Sequence, residues 1–350
     1  CDIVPEVANS VGEEFGVPYC TDYHELIDRD DVDAVMVATP HYFHPEVAIY
    51  AMEKGKPVIS EKPIAVTVSA ADAMVEAAQR TGTPFAVMHQ SRAQPIWRAA
   101  AKLVKDGRLG EIYRTLLVFP TFRSQAYYNS AGWRATWSGG GGGVLINQAP
   151  HSLDRFHWLG GLPSKVTAYT ATRNHAIEVE DVAAAMLEYP NGATGYVYCA
   201  TNEAPGGEIM ELAGEYGKLQ IIGEQIRFWE IPEGVKAFSD SSPEICKQPT
   251  ANEIEIELPE CETGHIVILR NMARHILYGE ELLSPGIEGL KTVEMINAMI
   301  LSGKTGEAVD MPVNRARYDA FLDGLRKTSE GKKQMGPDKR VTDNVHHSKS

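Results

Sequence analysis

A carboxylate, an amine and a rigid proline lie side by side at Glu61-Lys62-Pro63, directly after the apolar run Pro57-Val58-Ile59-Ser60. The run predicts a short buried strand, so the three residues should lie where a strand of a parallel sheet ends. Open α/β sheets bind ligands just outside the carboxyl ends of their strands. A lysine that is partly removed from water there can take part in proton transfer, because desolvation lowers its pKa. The alternative is a surface Glu–Lys pair before a turn.

A second set of polar side chains follows five consecutive glycines, Gly139 to Gly143. Glycines are costly inside a helix, so this run predicts a loop whose backbone comes close to the cofactor of a binding site or to a sheet. A helix is predicted from Val144 to Leu159, and in it Asn147 and His151 are four residues apart and share one face. A lone histidine on such a helix is often a hydrogen-bonded core residue, and that alternative stands beside a catalytic one.

Composition limits the class of protein. The 350 residues are 43% hydrophobic and 23% charged, which is typical of a globular chain with one or two domains. The net charge of −14 argues against nucleic acid or an anionic membrane as the partner. The five cysteines are scattered without a CxxC spacing, which favours reduced thiols in the cytoplasm and argues against a metal site. No apolar run approaches the roughly 18 residues of a membrane span.

The first part of the chain alternates strands and helices, which indicates βαβ units and a parallel sheet. Its first residues resemble the end of a strand, so we expect that a preceding strand, a G-x-G-x-x-G turn and a helix are missing from the sequence. Strands are predicted at 17–20, 33–39, 57–60 and 84–89, and helices at 5–15, 23–29, 44–54, 69–80 and 94–105.

The pattern changes after Gly110, where eight strand-like segments follow with few helices between them. Asn191-Gly192 lies between two of these segments and predicts a hairpin turn of an antiparallel sheet. Two long helices follow, Gly264 to Tyr278 and Gly286 to Ser302. The fold class is therefore α/β, with a Rossmann-type doubly wound parallel sheet in residues 1–92, an α+β domain with a large, mostly antiparallel sheet in residues 93–326, and a polar tail in residues 327–350.

Four stretches in this order resemble the Gfo/Idh/MocA family, the glucose–fructose oxidoreductase and inositol dehydrogenase type. They are Thr39-Pro40-His41-Tyr42-Phe43-His44, Glu61-Lys62-Pro63, Gln90-Ser91-Arg92 with Lys105 to Ile112, and Gly141 to Asp154. Each stretch is a weak signal alone, whereas their order and spacing together are specific. The resemblance implies NAD as the cofactor and a reversible oxidation of a secondary hydroxyl in a sugar, a glycoside or an inositol-like polyol.

The resemblance also implies roles for individual residues. Lys62 and His151 are expected to handle the substrate proton, and Asn147 is expected to belong to the same catalytic set. Many members carry aspartate where this chain has Asn147, which cannot titrate but can bind a hydroxyl or orient His151. Cofactor contacts are expected from Asp2, Ile3, Thr39, Pro40, His44, Glu61, Lys62, Gln90, Arg134 and Trp137, and substrate contacts from Lys62, Gln90, Tyr127, Trp133, Asn147 and His151.

Several of these residues have plainer alternatives. Asp2 at a strand end suits the ribose hydroxyls of a dinucleotide, and Ile3 offers nothing to a 2′-phosphate, so NADP is less favoured than NAD; alternatively, Asp2 only starts a helix. His44 is as plausible at a helix start as in the site. The aromatic residues Tyr127 and Trp133 suit the C–H faces of a carbohydrate, or else they belong to a core or a subunit contact.

Two other functions remain open. The first is a glycoside hydrolase of the same fold that uses tightly bound NAD for transient oxidation and elimination. The second is a non-enzymatic sensor of NAD or of a sugar, against which the presence of both Lys62 and His151 argues. The antiparallel sheet needs a cover, and the resemblance implies a homodimer or homotetramer formed through it.

Overall fold

A parallel sheet with helices on both faces forms the first part of the protein. In the computed structural model, which describes residues 1–331, strands β1 (Val35–Val37), β2 (Val58–Ser60) and β3 (Phe85–Val87) form a three-stranded sheet in sequence order. Helices α3 (His44–Glu53) and α4 (Val68–Thr81) connect these strands and pack against each other on one face. Because all three strands run in parallel, their carboxyl ends meet at one edge of the sheet.

The predicted strand at 17–20 is wrong. Two helices precede β1, namely α1 (Pro5–Phe15) and α2 (Tyr23–Ile27), and the residues between them are irregular. Only one backbone hydrogen bond, from Asp2 N to Cys20 O (3.3 Å), connects this segment to a neighbouring extended segment. A strand forms only where a partner satisfies a row of its N–H and C=O groups, and a single bond does not amount to such a ladder.

A mixed, mostly antiparallel sheet dominates the second part. Within residues 1–331 it has nine strands in the order β11-β10-β9-β8-β4-β7-β6-β5-β12, and only the β4–β7 pair is parallel. The strands are β4 (Ile112–Pro120), β5 (Lys165–Ala171), β6 (Val182–Glu188), β7 (Thr194–Ala200), β8 (Ile209–Gly214), β9 (Gly217–Ile222), β10 (Gln225–Glu230), β11 (Asn252–Ile254) and β12 (Val309–Asp310).

The nine-stranded sheet is covered on one face and open on the other. Helices α8 (Pro150–Gly160) and α11 (Gly286–Thr305) pack on the covered face. Side chains alternate accordingly, so that Val166 and Leu187 are buried while Tyr169 and Met186 on neighbouring strands are more than half exposed. Large apolar side chains on the open face mark a surface suited to association.

The buried helix α11 joins the two parts of the molecule. It contacts β5, α8, α4 and β3, and its residues from Thr292 to Ser302 are buried without interruption. Asn297 on this helix accepts a hydrogen bond from Val68 N (2.9 Å) and donates one to Val66 O (3.0 Å). The chain just after Glu61-Lys62-Pro63 is therefore held from the second part of the molecule.

Further helices complete the fold. Helix α10 (His265–Tyr278) covers the second face of the parallel sheet, where Ile268 and Met272 pack on Ile59, Ala86 and Met88. A third closing helix, α12 (Arg315–Thr328), was not predicted, and it includes the first two residues of the predicted tail 327–350. The tail from residue 332 onward lies outside the described residues. The other helices are α5 (Pro95–Lys105), α6 (Gln125–Tyr128), α7 (Val144–Asn147) and α9 (Val235–Ser241), with short 3₁₀ turns at His41–Phe43 and Gln90–Ala93.

The predicted continuous helix from Val144 to Leu159 is wrong, because it breaks between α7 and α8. Pro150 causes the break, since proline has no N–H to donate and its ring clashes with the carbonyl of the preceding turn. Proline is tolerated at the first position of a helix, which is where α8 begins. Asn147 and His151 therefore lie on two successive helices, and the last carbonyls of α7 lack helical partners.

The glycine run makes a close approach to protein. A Cβ atom at Gly143 would overlap the Glu180 carbonyl oxygen, and Glu180 Oε1 accepts hydrogen bonds from Gly143 N (2.9 Å) and Leu145 N (3.2 Å). The sequence predicted that this run approaches either the cofactor or a sheet. Gly143 approaches the backbone of Glu180, which lies two residues before strand β6 of the nine-stranded sheet. The first N–H groups of α7 are satisfied by this buried carboxylate.

We predict that Gly143→Ala lowers the free energy of unfolding by more than about 3 kcal/mol, because the backbone of Glu180 cannot move aside. Gly207→Ala is the matched control, since no atom lies within 4 Å of a Cβ atom placed there, and it should change stability by less than about 1 kcal/mol. Urea unfolding of both variants measures the difference. Equal midpoints for Gly143→Ala and the wild type would contradict this packing.

Candidate active site

Lys62 bridges the carboxyl edge of the parallel sheet and the helix break of the second part. Its Nζ donates a hydrogen bond to the Asn147 carbonyl oxygen (3.0 Å), one of the carbonyls that the end of α7 leaves without a helical partner. Glu61 Oε2 accepts from Lys62 N (3.1 Å), so the carboxylate folds back on its own loop. Glu61, Lys62, Asn147 and His151 are all partly exposed amid buried neighbours. These four residues therefore lie together at the boundary between the two parts of the molecule, and we call this place the Lys62 crevice.

His151 lies on the first turn of α8, at the wall of this crevice. The residue as a whole is partly exposed, and its Nδ1 is buried without a hydrogen-bond partner. Burial lowers the pKa of the His151 imidazole well below its ordinary value, and the nearby positive charge of Lys62 lowers it further. His151 is therefore neutral at neutral pH, with a lone pair able to accept a proton.

A buried set of charges lies behind His151. Arg92 donates to both oxygens of Asp154 (2.7 and 2.8 Å) and to Glu288 Oε2 (2.8 Å), while His89 Nδ1 lies 2.8 Å from Asp154 Oδ1. Burial alone would raise the pKa of Asp154, but His89 and Arg92 outweigh it and hold that pKa well below its usual range. We call the set of His89, Arg92, Asp154 and Glu288 the Asp154 network.

Asp154 contacts His89 and Arg92 and not its chain neighbour Arg155. Arg155 instead donates to Glu208 (2.6 and 2.8 Å) and stacks over Trp97. Arg92 has a structural role, because it connects the 3₁₀ turn after β3 to the helices α8 and α11. The sequence analysis missed His89, although its place at the end of a strand, beside Gln90, was a usable signal.

His44 ties together the loops that follow β1 and β2. Its Nε2 lies 2.7 Å from the Thr39 carbonyl oxygen and its Nδ1 lies 2.9 Å from the Pro63 carbonyl oxygen. The ring is 1% exposed, whereas Thr39 and Pro40 are exposed at the sheet edge. These contacts give His44 a structural role in holding both loops, and its contact with a cofactor stays a prediction.

The aromatic residues form a polar-rimmed wall beside Asn147. Tyr127 Oη accepts hydrogen bonds from Arg134 (2.9 Å) and from Gln148 Nε2 (3.0 Å), and Arg134 stacks over both Tyr127 and Trp133. Tyr127, Trp133, Arg134 and Gln148 are all partly exposed, and Gln148 Oε1 is a buried acceptor without a partner. Apolar ring faces with a few fixed polar groups suit a carbohydrate.

Other predicted site residues lie in varied surroundings. Trp137 is buried and bonded through both nitrogens to Glu178, so its ring is fixed within the protein. Asp2 Oδ1 accepts from Val4 N (2.9 Å), where Val4 is the residue before α1, and Ile3 is 86% exposed. Gln90 is buried at the end of β3, and its Oε1 has no hydrogen-bond partner.

Metal and membrane features can be examined within residues 1–331. This part of the chain holds no group of three or more His, Cys, Asp or Glu side chains arranged to bind a metal ion. None of its helices combines the length and the apolarity needed to cross a bilayer. Its five cysteines are all unpaired, and Cys199 is buried in the core.

Comparison with known families shows the family to which the chain belongs. A family model described as an oxidoreductase family with an NAD-binding Rossmann fold matches residues 1–89, and the Gfo/Idh/MocA C-terminal domain model matches residues 97–220. The chain belongs to the Gfo/Idh/MocA family. It is thus an oxidoreductase whose cofactor is NAD, as its motifs implied, and both parts of the predicted fold are confirmed.

The chain is similar to Gfo/Idh/MocA proteins that are named for different activities. It is 26% identical to a D-apiose dehydrogenase of Paraburkholderia graminis over 95% of this chain and 86% of that one. It is 34% identical to a 2,7-anhydro-N-acetylneuraminate hydratase of Mediterraneibacter gnavus over 47% of this chain and 43% of that one. Among solved structures, the WlbA dehydrogenase of Bordetella pertussis with NADH and UDP-GlcNAcA matches with a TM-score of 0.74, 28% identity and 90% of each chain covered.

The residues at the sheet edge fit a dinucleotide. Thr39, Glu61 and Gln90 directly follow or lie close to the carboxyl ends of β1, β2 and β3, where open sheets bind such ligands. The unpartnered Oε1 of Gln90 is an acceptor that costs free energy unless a ligand or water satisfies it. This family member thus presents unfilled polar groups at the place where its fold class holds a cofactor.

The buried histidines make stability depend on pH. Burial lowers the pKa of His157 from 6.5 to about 4, so between these values the unfolded chain binds a proton that the folded chain does not. The free energy of unfolding therefore falls as the pH drops below about 6.5. His157→Gln should remove about 2 kcal/mol of the loss between about pH 7 and about pH 5.

Urea unfolding at the two pH values tests this dependence. His265→Gln is the matched control, because His265 is exposed on α10, and it should leave the loss of stability unchanged. An unaltered loss in His157→Gln would show that this histidine does not contribute to the pH dependence.

Proposed function

We propose that this oxidoreductase is an NAD-dependent dehydrogenase that oxidises a secondary hydroxyl of a sugar, a glycoside or a cyclic polyol. The observation that carries the proposal is the meeting of Lys62 and His151 at one crevice beside the carboxyl edge of the parallel sheet. One residue comes from each part of the molecule, as a reaction between a bound cofactor and a substrate requires. The nicotinamide of NAD supplies the hydride acceptor of such a reaction.

In this proposal His151 is the general base for the substrate hydroxyl. Its neutral imidazole accepts the hydroxyl proton as the carbinol C–H bond breaks. Its low pKa in the absence of substrate keeps it unprotonated and ready. The departing proton must leave the crevice in each turnover, and the partial exposure of His151 supplies a path to water.

Lys62 polarises the same hydroxyl or relays its proton. An ammonium group beside the oxygen stabilises the negative charge that develops as the proton leaves, and such a charge interaction is strong where water is excluded. The Asn147 carbonyl holds the ammonium at 3.0 Å and so directs it into the crevice. The Asn147 side-chain amide is then available to bind another substrate hydroxyl or to orient His151.

The wall of Tyr127, Trp133, Arg134 and Gln148 supports a carbohydrate-like substrate. Ring faces contact apolar C–H groups, and the Gln148 amide offers an unpartnered buried acceptor to a hydroxyl. The relative named a D-apiose dehydrogenase and the solved neighbour with UDP-GlcNAcA agree with this substrate class. Cofactor contacts by Asp2, Ile3, Thr39, Pro40, Glu61 and Gln90 belong to the same proposal.

One relative favours a second candidate function. The partial match to a protein named a hydratase supports an enzyme that oxidises its substrate transiently and then eliminates or adds a group across the neighbouring bond. The glycoside hydrolase weighed above is of this kind. It uses the same Lys62 crevice, but it returns the hydride and frees an aglycone without net formation of NADH.

We also infer an assembly and a compartment. The open face of the nine-stranded sheet exposes Tyr169 and Met186, and we propose that it pairs with the same face of a second copy to give a homodimer or homotetramer. Unpaired cysteines support a reducing compartment such as the cytoplasm.

We predict that Lys62→Ala and His151→Ala each lower turnover by about 10² or more, while NAD still binds to both variants. The assay follows NADH absorbance across a panel of inositols, pyranoses and glycosides, together with release of any aglycone. Lys102→Ala, at an exposed lysine of α5, is the matched control and should retain full activity. A fully active His151→Ala would remove that residue from the mechanism, and aglycone release without net NADH would favour the second candidate.

We predict that Tyr169→Glu combined with Met186→Glu lowers the molar mass of the particle in solution, because buried carboxylates without partners destabilise an interface. Light scattering after size-exclusion chromatography measures the mass. Tyr278→Glu is the control, since Tyr278 is 80% exposed on α10, away from the sheet. An unchanged mass in the double variant would contradict pairing through this face.

A further inference from the structure

His89 and His151 meet at the boundary between the two parts of the molecule. His89 follows β3 of the parallel sheet and His151 lies on α8, and their rings contact edge to face with centroids 6.1 Å apart. His89 is fully buried, and His157 is the only other histidine of α8 among the described residues. His89 is thus a second imidazole next to the proposed base, on the side away from water.

Both rings carry a nitrogen that has no hydrogen-bond partner. These atoms are Nε2 of His89 and Nδ1 of His151, and each is buried. Leaving a buried polar atom unpaired costs roughly 1–3 kcal/mol, so two such atoms in contacting rings require an explanation. Packing alone does not supply one, because a phenylalanine at either position would fill the same space without that cost.

Asp154 fixes the orientation of His89. The carboxylate lies 2.8 Å from His89 Nδ1, and Arg92 holds both of its oxygens from the other side. A carboxylate fixed in this way favours a proton on Nδ1 of the neighbouring imidazole. Neither ring nitrogen of His89 makes a hydrogen bond of good geometry, but Nδ1 has the Asp154 carboxylate 2.8 Å away. In the neutral ring with its proton on Nδ1, Nε2 is the acceptor that no group satisfies.

We propose that His89 is a positioning residue for His151: the Asp154 network holds the His89 ring rigid, and that ring fixes the rotation and the tautomer of the His151 imidazole at the Lys62 crevice. This inference rests on the proposed function, in which His151 is the base. It assigns to the Asp154 network a second purpose, beyond its link between the turn after β3 and the helices α8 and α11.

The charged groups around His151 come from three elements. Lys62 follows β2, His89 follows β3, and Asp154 and Arg155 lie on α8 itself. Burial is the largest cause of the low pKa of His151. Lys62, His89 and Arg155 lower this pKa further, whereas Asp154 raises it. Removing His89 should therefore move the acid limb of the kcat/KM profile to higher pH.

Kinetics of His89→Gln provide the first test. We expect kcat to fall by about tenfold or more, with the substrate KM and the NAD dissociation constant each within about threefold of the wild type. His157→Gln is the matched control, because His157 is equally buried and lies 3.7 Å from the same Asp154 oxygen. It should keep kcat within about threefold. An unchanged kcat and pH profile in His89→Gln would overturn the inference.

Nitrogen-15 chemical shifts of the histidine rings provide the second test, which does not need activity and whose wild-type result alone can overturn the inference. In the wild type the His151 signals, assigned by their loss in His151→Gln, should show one fixed tautomer that does not titrate between about pH 5 and 8. In His89→Gln they should move to values averaged over two tautomers. Averaged signals already in the wild type would overturn the inference. A wild type that is inactive on every polyol would instead reject the proposed function, while the chemical shifts still decide the role of His89.

Discussion

The hydrogen bond from Lys62 Nζ to the Asn147 carbonyl oxygen is the interaction on which the site depends. It is favoured because the helix breaks at Pro150 and the carbonyl at the end of α7 has no helical donor. The bond also requires the end of β2 to lie next to the end of α7. Asn297 on α11 holds the residues that follow Lys62 in this position, through its bonds to Val66 and Val68. A local defect in a helix thus becomes the point at which the two parts of the molecule meet.

Burial of charge is the second constraint. Asp154, Arg92 and Glu288 form charge-assisted hydrogen bonds in the interior, and three neighbouring histidines share that environment. Breaking one partner of such a set is costly, because the remaining charge stays buried. The network therefore fixes the relative position of β3, α8 and α11, which is also the position that brings His151 to the Lys62 crevice.

Much of the fold could be predicted from the sequence because the strands of the first part are short apolar runs bounded by turns. Helix α1 begins and ends where its pattern predicted, whereas the helix through Asn147 and His151 was wrong, because spacing alone does not weigh the effect of Pro150. Residue types indicated Lys62 and His151, but which side chains contact each other depends on packing between elements far apart in sequence. The contacts of Asp154 with His89 and Arg92, more than 60 residues away, lie beyond local patterns.

A crystal structure of the protein with NAD and a polyol that it oxidises would test the central claim most directly. The account predicts that one substrate hydroxyl oxygen lies within about 3.2 Å of both Lys62 Nζ and a ring nitrogen of His151. A substrate bound elsewhere, or a hydroxyl that reaches neither side chain while Lys62 remains on the Asn147 carbonyl, would contradict it.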